Sequence, residues 1–431
     1  MKYHAIDREL FIANRAKFTA QMKPNSVAIF NSNDIYPVSA DSTLPFAQHR
    51  DIFYLSGADQ EESILLLFPD APYAHLREIL FLRETNEHIA IWEGEKLTKE
   101  RAFEVSGIRN IIWLQDFQKT LKEVMTYADT MYINTNEHYR SAVETQTRED
   151  RFIKWWKETY PAHKVEKSNP ILQRLRSVKE NQELALMQTA CDITEKGFRR
   201  ILNFVKPGVM EYEIEAEFAH EFLRNRSKGF AYTPIIASGA NANVLHYIEN
   251  NQECKAGDLL LLDVGAEYAN YSSDLSRTIP VSGRFTERQR AVYNAVLQVK
   301  NEATKLLVPG TLWKEYHVEV GKIMTSELLG LGLLDKADVQ NEDPAWPAYK
   351  KYFMHGTSHH LGLDTHDYGL LYEPMQPNMV FTVEPGIYIP AEGFGIRLED
   401  DVVIQANGAP LNLMRNIPIE AEEIEALMNE N

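Results

Sequence analysis

Cysteine is almost absent from this chain: two residues, Cys191 and Cys254, in 431. Two are too few for a disulfide framework and match the usage of a reducing compartment, so a cytoplasmic location is expected. Long apolar runs are missing as well. No segment approaches the ~18 consecutive apolar residues of a membrane span, and the opening MKYHAIDRELFIANR is charged and amphipathic, without the apolar centre of a secretory signal. Basic residues are in deficit, 45 Lys and Arg against 62 Asp and Glu, giving a net charge of −17. Neither nucleic acid nor an anionic membrane is therefore expected as a partner. What is present in ordinary amounts, 44% apolar and 25% charged residues, describes a soluble globular protein. Its length favours two or three domains.

Residues 7–22 read as an opening helix. SVAIF (26–30), SILLLF (63–68), EILFLR (78–83), HIAIW (88–92), NIIWL (110–114) and TMYIN (130–134) read as short strands. They alternate with the helical stretches LTKERAFEVSG (97–107) and DFQKTLKEVMTYA (116–128). The alternation predicts an α/β domain over residues 1–165, with the polar PAHKVEKSNP (161–170) as a linker. From 166 to 431 the pattern changes to long helices and antiparallel strands, an α+β domain. Two helical segments there end at Pro207-Gly208 and Pro309-Gly310, 102 residues apart, and each is followed by a second helix. Such a repeat predicts two related halves enclosing a site.

Five residues in that second domain sit in segments that read as buried strand or strand edge: Asp263, Asp274, His359, Glu384 and Glu399. Isolated carboxylates are not tolerated in apolar surroundings, so acids kept there require cations. Oxygen-rich donors with one imidazole suit hard or borderline divalent ions, Mn²⁺ ahead of Co²⁺ or Zn²⁺. Five donors exceed what one catalytic ion takes from a protein and match two ions sharing carboxylates. In GDLLLLDVGAEYANYSSDLSRTIPVSG (257–283) a hairpin with its turn in ANYSS would bring Asp263 beside Asp274. YFMHGTSHHLGLDTHDYG (352–369) carries His355, His359, His360 and His366, too many for ligands alone, so proton carriers are expected among them. Glu384 ends the strand MVFTV before Pro385-Gly386. In GIRLEDD, Arg397 and Glu399 share one strand face, and Leu398 and Asp400 the other.

These segments together make the chain resemble an Xaa-Pro aminopeptidase (aminopeptidase P) of the pita-bread metallopeptidase family. The likeness spans essentially the whole chain through SADSTLPFAQHRDIFYLSGADQEESILLLF, NVLHYIEN, LLDVGAEY, SSDLSRTIPVSGRFT, MHGTSHHLGLDTHD, TVEPGIY and GIRLEDD. It implies a pita-bread catalytic domain with pseudo-two-fold symmetric halves behind a creatinase/aminopeptidase P-like N-terminal domain. By position it implies that Asp263 binds one of two divalent metal ions, that Asp274 and Glu399 bridge both, and that His359 and Glu384 complete the ligands of the second ion. His246, His355 and His366 then surround the substrate, with Tyr388, Arg397 and Asp41, the last reaching in from the N-terminal domain. Trp92 resembles a tryptophan that lines a neighbouring subunit's site, although a buried Trp accounts for it equally well, and a homo-oligomer (dimer or tetramer) follows.

The implied reaction releases the first residue from peptides with proline second, by attack of a hydroxide bridging the two ions. Glu384 takes the proton, His355 or His246 stabilises the oxyanion, and His366 protonates the leaving nitrogen. Tyr368, Tyr372 and Tyr388 are candidate walls of the proline slot. A prolidase, restricted to dipeptides, is the nearest alternative. The segment DYGLLYEPMQPN after His366 is short for the family and lacks an arginine, which favours longer peptides. A pita-bread protein that binds peptides without cutting them would have lost ligands, and none is missing.

Overall fold

Five of the short apolar runs in the first 170 residues meet in one mixed sheet, joined by a sixth strand. These are β1 (Ser26–Asn31), β2 (Ile64–Leu67), β3 (Glu78–Leu82), β4 (Asn110–Trp113), β5 (Thr130–Ile133) and β6 (Lys164–Lys167), in the order β4-β3-β2-β1-β5-β6. Every residue of β1 and β2 is buried, which is why these central strands read as unbroken hydrophobic runs rather than alternating ones. The structure is a computed structural model describing residues 2–135, 137–141 and 144–430. Its chain divides into Tyr3–Leu175 and Arg176–Asn431.

Two expectations for the first unit fail. HIAIW is not a strand but part of helix α2 (Glu87–Glu93); the opening helix is α1 (Glu9–Thr19). The Asn86 side chain accepts from the Ile89 N–H at one end, and Gly94 takes φ +77° at the other. Both neighbours of β3 in the sheet are already taken, and a short apolar run does not by itself distinguish strand from helix. Trp92 is accordingly not buried but 78% exposed. Residues 161–170 are not a linker either: β6 pairs in parallel with β5, and helix α3 (Asn169–Ser177) starts directly after it.

The second unit carries the expected repeat. Helices α4 (Asn181–Phe204) and α5 (Glu211–Arg224) form one pair, α6 (Glu287–Lys305) and α7 (Trp313–Gly330) the other. Gly208 and Gly310, 102 residues apart, hold nearly identical left-handed angles, φ +93° and +92°. Each corner is clasped by the same two backbone bonds. Gly208 N donates to Cys254 O and Cys254 N to Val209 O; Gly310 N donates to Met375 O and Met375 N to Thr311 O, all at 2.9 Å.

In the first half, β7 (Ile235–Ser238), β8 (Leu259–Val264) and β11 (Leu275–Pro280) form an antiparallel sheet, and β9 (Ala266–Tyr268) and β10 (Tyr271–Ser272) continue the hairpin above it. The hairpin turn is tighter than expected: Ala269 and Asn270 both take positive φ, 53° and 68°, so Tyr271 already pairs back with Tyr268. In the second half β12 (Val380–Val383) pairs with β15 (Asp400–Val403), and β13 (Gly386–Ile389) with β14 (Phe394–Arg397).

Beneath the two half-sheets lies a buried ion cluster. Arg277 Nη2 bonds Asp400 Oδ1 at 2.7 Å, and Lys300 pairs with Asp400 Oδ2. Burial alone would raise the Asp400 carboxyl, but Lys300 and Arg277 outweigh it and hold it far below the usual carboxylate range. Asp400→Ala leaves two buried cations unpaired and is expected to cost about 3–5 kcal/mol in denaturant unfolding. Because the folded pKa is depressed, this contribution is fully present above the unfolded value of about 3.9. The difference between wild type and variant should therefore stay level from neutral pH down to about 5 and shrink only in stronger acid.

Candidate metal centre

The carboxylates sit at equivalent places in the two half-sheets. Asp263 is the penultimate residue of β8, where it pairs with Ser276, and Asp274 immediately precedes β11. Glu384 immediately follows β12 and Glu399 immediately precedes β15, so both flank the Val383–Asp400 pair. The expected continuous strand through Arg397 and Glu399 is broken at Leu398–Glu399. Both side chains nevertheless face one partner: Arg397 Nε donates to Ser276 Oγ at 2.9 Å, and Ser276 Oγ donates to Glu399 Oε2 at 2.7 Å. The bend at the first hairpin needs Gly265, where a Cβ would fall 1.8 Å from the Ser273 carbonyl oxygen.

His359 reaches the same point from an irregular segment laid along β12. Glu384 N donates to Thr357 O, Thr382 N to His359 O and Leu361 N to Val380 O, at 2.7, 3.0 and 3.2 Å. The His359 Nδ1–H donates to His360 O at 3.0 Å, which leaves the Nε2 lone pair facing Asp274 Oδ2 at 3.4 Å and Glu384 Oε1 at 3.7 Å. Donor atoms of Asp274, His359 and Glu399 all lie within 4.8 Å of one another.

The electrostatics call for positive charge. Burial, then the neighbouring Asp274, Glu384 and Asp263, push Glu399 well above the usual range. Burial also raises Asp263, against the pull of Arg397 at 2.6 Å. Glu384 is lifted to about 7 by burial, over the opposing His359 and Arg397. Burial would lower His359, yet Asp274 and Glu384 outweigh it and raise it.

Tyr232 supplies the most direct sign. Its hydroxyl lies 2.6 Å from Asp263 Oδ1 and 2.5 Å from Asp274 Oδ1. One hydroxyl proton cannot serve two carboxylates, so one contact needs a further proton or a shared cation. Burial and the charges of Asp263 and Asp274 keep the phenol protonated. The donor set fits divalent ions: Asp263, Asp274, His359, Glu384 and Glu399 converge, and among the described residues Arg397 is the one lysine or arginine bonded to them. Tyr232 and Ser276 are absent from the set expected from sequence. Ser276 shares a strand face with Asp274 by simple alternation, whereas Tyr232 becomes visible only once β7 pairs with β8, Ile235 facing Asp263.

Around the donors, Arg397 Nη1 bonds the Tyr388 hydroxyl at 2.8 Å, and that hydroxyl meets His355 Nε2 at 2.8 Å. His355 Nδ1 lies 2.8 Å from Gly356 O and 3.6 Å from Glu384 Oε2. Burial and Arg397 push His355 down to about 3, so it is neutral at physiological pH. The His366 ring centroid is 4.3 Å from that of His359. His246 is exposed in the turn after a short 3₁₀ helix, Gly239–Asn243. Asp41 is exposed in the turn of a small hairpin of the first unit. Tyr388 is buried, Tyr368 is buried under the Arg176 guanidinium, and Tyr372 is 74% exposed.

The chain is similar to known proteins over its full length. The model of metallopeptidase family M24 matches residues 185–406, and that of the aminopeptidase P N-terminal domain matches residues 11–132. The chain is 36% identical to the Xaa-Pro aminopeptidase of Escherichia coli, covering 98% of each chain. It is 31% identical to human Xaa-Pro aminopeptidase 3, covering 95% of this chain and 82% of that one. The zinc-substituted E. coli aminopeptidase P in complex with product superposes with a TM-score of 0.87 at 33% identity, covering 99% of both chains.

Tyr232→Phe removes the donor shared by Asp263 and Asp274 without touching a direct donor to the ion. It is expected to weaken Mn²⁺ binding by about 10- to 100-fold in calorimetric titration of metal-stripped protein, with the fold unchanged.

Proposed function

Because the chain belongs to metallopeptidase family M24, we propose that it is a metal-dependent aminopeptidase releasing the N-terminal residue from peptides with proline in second position. The reading is carried by the convergence of Asp263, Asp274, His359, Glu384 and Glu399 in a chain alike over its full length to Xaa-Pro aminopeptidases. Asp263 would hold one divalent ion, Asp274 and Glu399 both, and His359 and Glu384 the second. Oxygen-rich donors favour Mn²⁺, with Co²⁺ or Zn²⁺ as substitutes. Bound there, divalent ions lower the pKa of water and polarise the scissile carbonyl.

The chain's own side chains do the rest. Glu384, within 3.7 Å of both His355 and His359, takes the proton of the attacking water. Tyr388 and Arg397 orient the neutral His355 ring beside Glu384: its Nε2 accepts from the Tyr388 hydroxyl, and its one N–H, on Nδ1, is held by Gly356 O and would have to leave that oxygen to meet an oxyanion. The nitrogen of an Xaa-Pro bond has no hydrogen and must be protonated to leave. His366, packed edge-on against His359, is the donor in this reading. A cytoplasmic enzyme suits the two buried free thiols. A homo-oligomer suits the apolar face that Ile91 and Trp92 present on α2, 79% and 78% exposed.

Metal-stripped protein should be inactive on an Xaa-Pro-Yaa tripeptide and recover when Mn²⁺, Co²⁺ or Zn²⁺ is added back separately. Absence of cleavage with every ion would sink the proposal, and faster turnover of an Xaa-Pro dipeptide than of the tripeptide would make the protein a dipeptidase. His366→Ala is expected to lower kcat by about 10²–10⁴-fold with metal content intact. Loss of both ions in that variant would make His366 a ligand instead.

A further inference from the structure

We propose that Glu211, a residue far in sequence from every metal donor, is a positioning residue that sets the place of His246 in the active site. Glu211 opens helix α5 and is fully buried. Its carboxylate accepts five hydrogen bonds. Oε1 takes Ser238 N at 2.8 Å, Ser238 Oγ at 2.7 Å and Asn241 Nδ2 at 3.2 Å. Oε2 takes the Tyr247 hydroxyl at 2.8 Å and Gln252 N at 2.9 Å. His246 lies between these two groups of donors, so one carboxylate closes the segment from both ends.

The segment so held is a wall of the site. Tyr247 and Ala242 pack in one apolar cluster with Tyr388, whose hydroxyl bonds His355 and Arg397. Gly395 makes the approach close: a Cβ there would fall 2.7 Å from both Ala242 O and Tyr388 Cδ1. His246 itself is exposed and makes no hydrogen bond among the described residues, so its place is set by the backbone that carries it. The backbone of 252–254 is already clasped to the α4–α5 corner. Among the described residues the stretch 239–251 has no such pairing beyond its own 3₁₀ turn and relies on side chains, chiefly Glu211 and the Asn250 bonds to Ile236 N and Pro234 O. In the other half the residue 102 positions on is Trp313, which stacks parallel to His360 at 6.3 Å and packs on Phe381. One half therefore fixes its histidine segment by charge-assisted hydrogen bonds, the other by aromatic packing.

This inference rests on the aminopeptidase reading, and a double-mutant cycle separates the two. Wild type must first cleave an Xaa-Pro-Yaa tripeptide; if it does not, the function itself is wrong. Glu211→Gln keeps the shape of the side chain but turns an NH₂ group toward at least one donor pair. It is expected to lower kcat/KM by roughly 10- to 100-fold, to leave metal content unchanged and to raise amide hydrogen exchange across 243–249. In the His246→Ala background the same change should cost less than about 2-fold, because Glu211 acts through His246. Losses that multiply in the double variant, or a Glu211→Gln enzyme as active as wild type, would overturn the assignment. Tyr247→Phe removes one of the five bonds and carries the same cycle if Glu211→Gln does not fold.

Discussion

Four carboxylates gathered at one buried point repel one another, and the catalytic unit is organised around answering that repulsion. Two unit charges 4 Å apart at an effective dielectric of about 20 interact by roughly 4 kcal/mol. The chain therefore cannot hold Asp263, Asp274, Glu384 and Glu399 together on side-chain packing alone. Arg397 answers Asp263, Ser276 and Tyr232 donate into the group, and His359 is pushed toward taking a proton. What remains uncompensated is negative charge, of the kind that divalent cations answer.

Holding the donors in place is the work of the two-fold architecture. Each half offers a pair of antiparallel strands whose ends carry two acids, and the halves are stitched at Ser276 and Thr278. Glu399 N donates to Ser276 O, Arg397 N donates to Thr278 Oγ1, and that hydroxyl in turn donates to Arg397 O. Asp274 is fixed from behind by Asp401, whose Oδ2 accepts the Asp274 N–H at 3.0 Å and the Cys191 thiol at 3.4 Å. The Arg277–Asp400–Lys300 cluster lies one residue further along both strands, on the opposite face from Ser276 and Glu399. A charged centre above and an ion cluster below thus share the same two strands.

Much of this was legible in the chain itself. LLLLDV, VFTVEPG and GIRLEDD each place an acid next to a run that has to be buried, and burial of acids implies cations. The Pro-Gly stops 102 residues apart marked the repeat, because only a left-handed glycine turns both helix pairs at the same place. HIAIW misled because five apolar-leaning residues suit a strand or one turn and a half of helix equally. The choice went to the Asn86 cap, with both sides of the preceding strand β3 already paired. The stretch 161–170 misled because β6 is a polar edge strand, exposed in all but one residue, and exposed strands read as loops.

By itself the sequence determined which acids have to be buried, that the four of them come in two pairs, and that a divalent cation is the partner they need, since these follow from residue chemistry and the cost of burying charge. Only the tertiary structure decided which groups answer each donor. Tyr232, Ser276 and Glu211 act through side chains that meet their partners across 27 to 123 positions of sequence. Nothing local marks such a pair, because strand register and helix packing, not spacing, bring its members within hydrogen-bond reach.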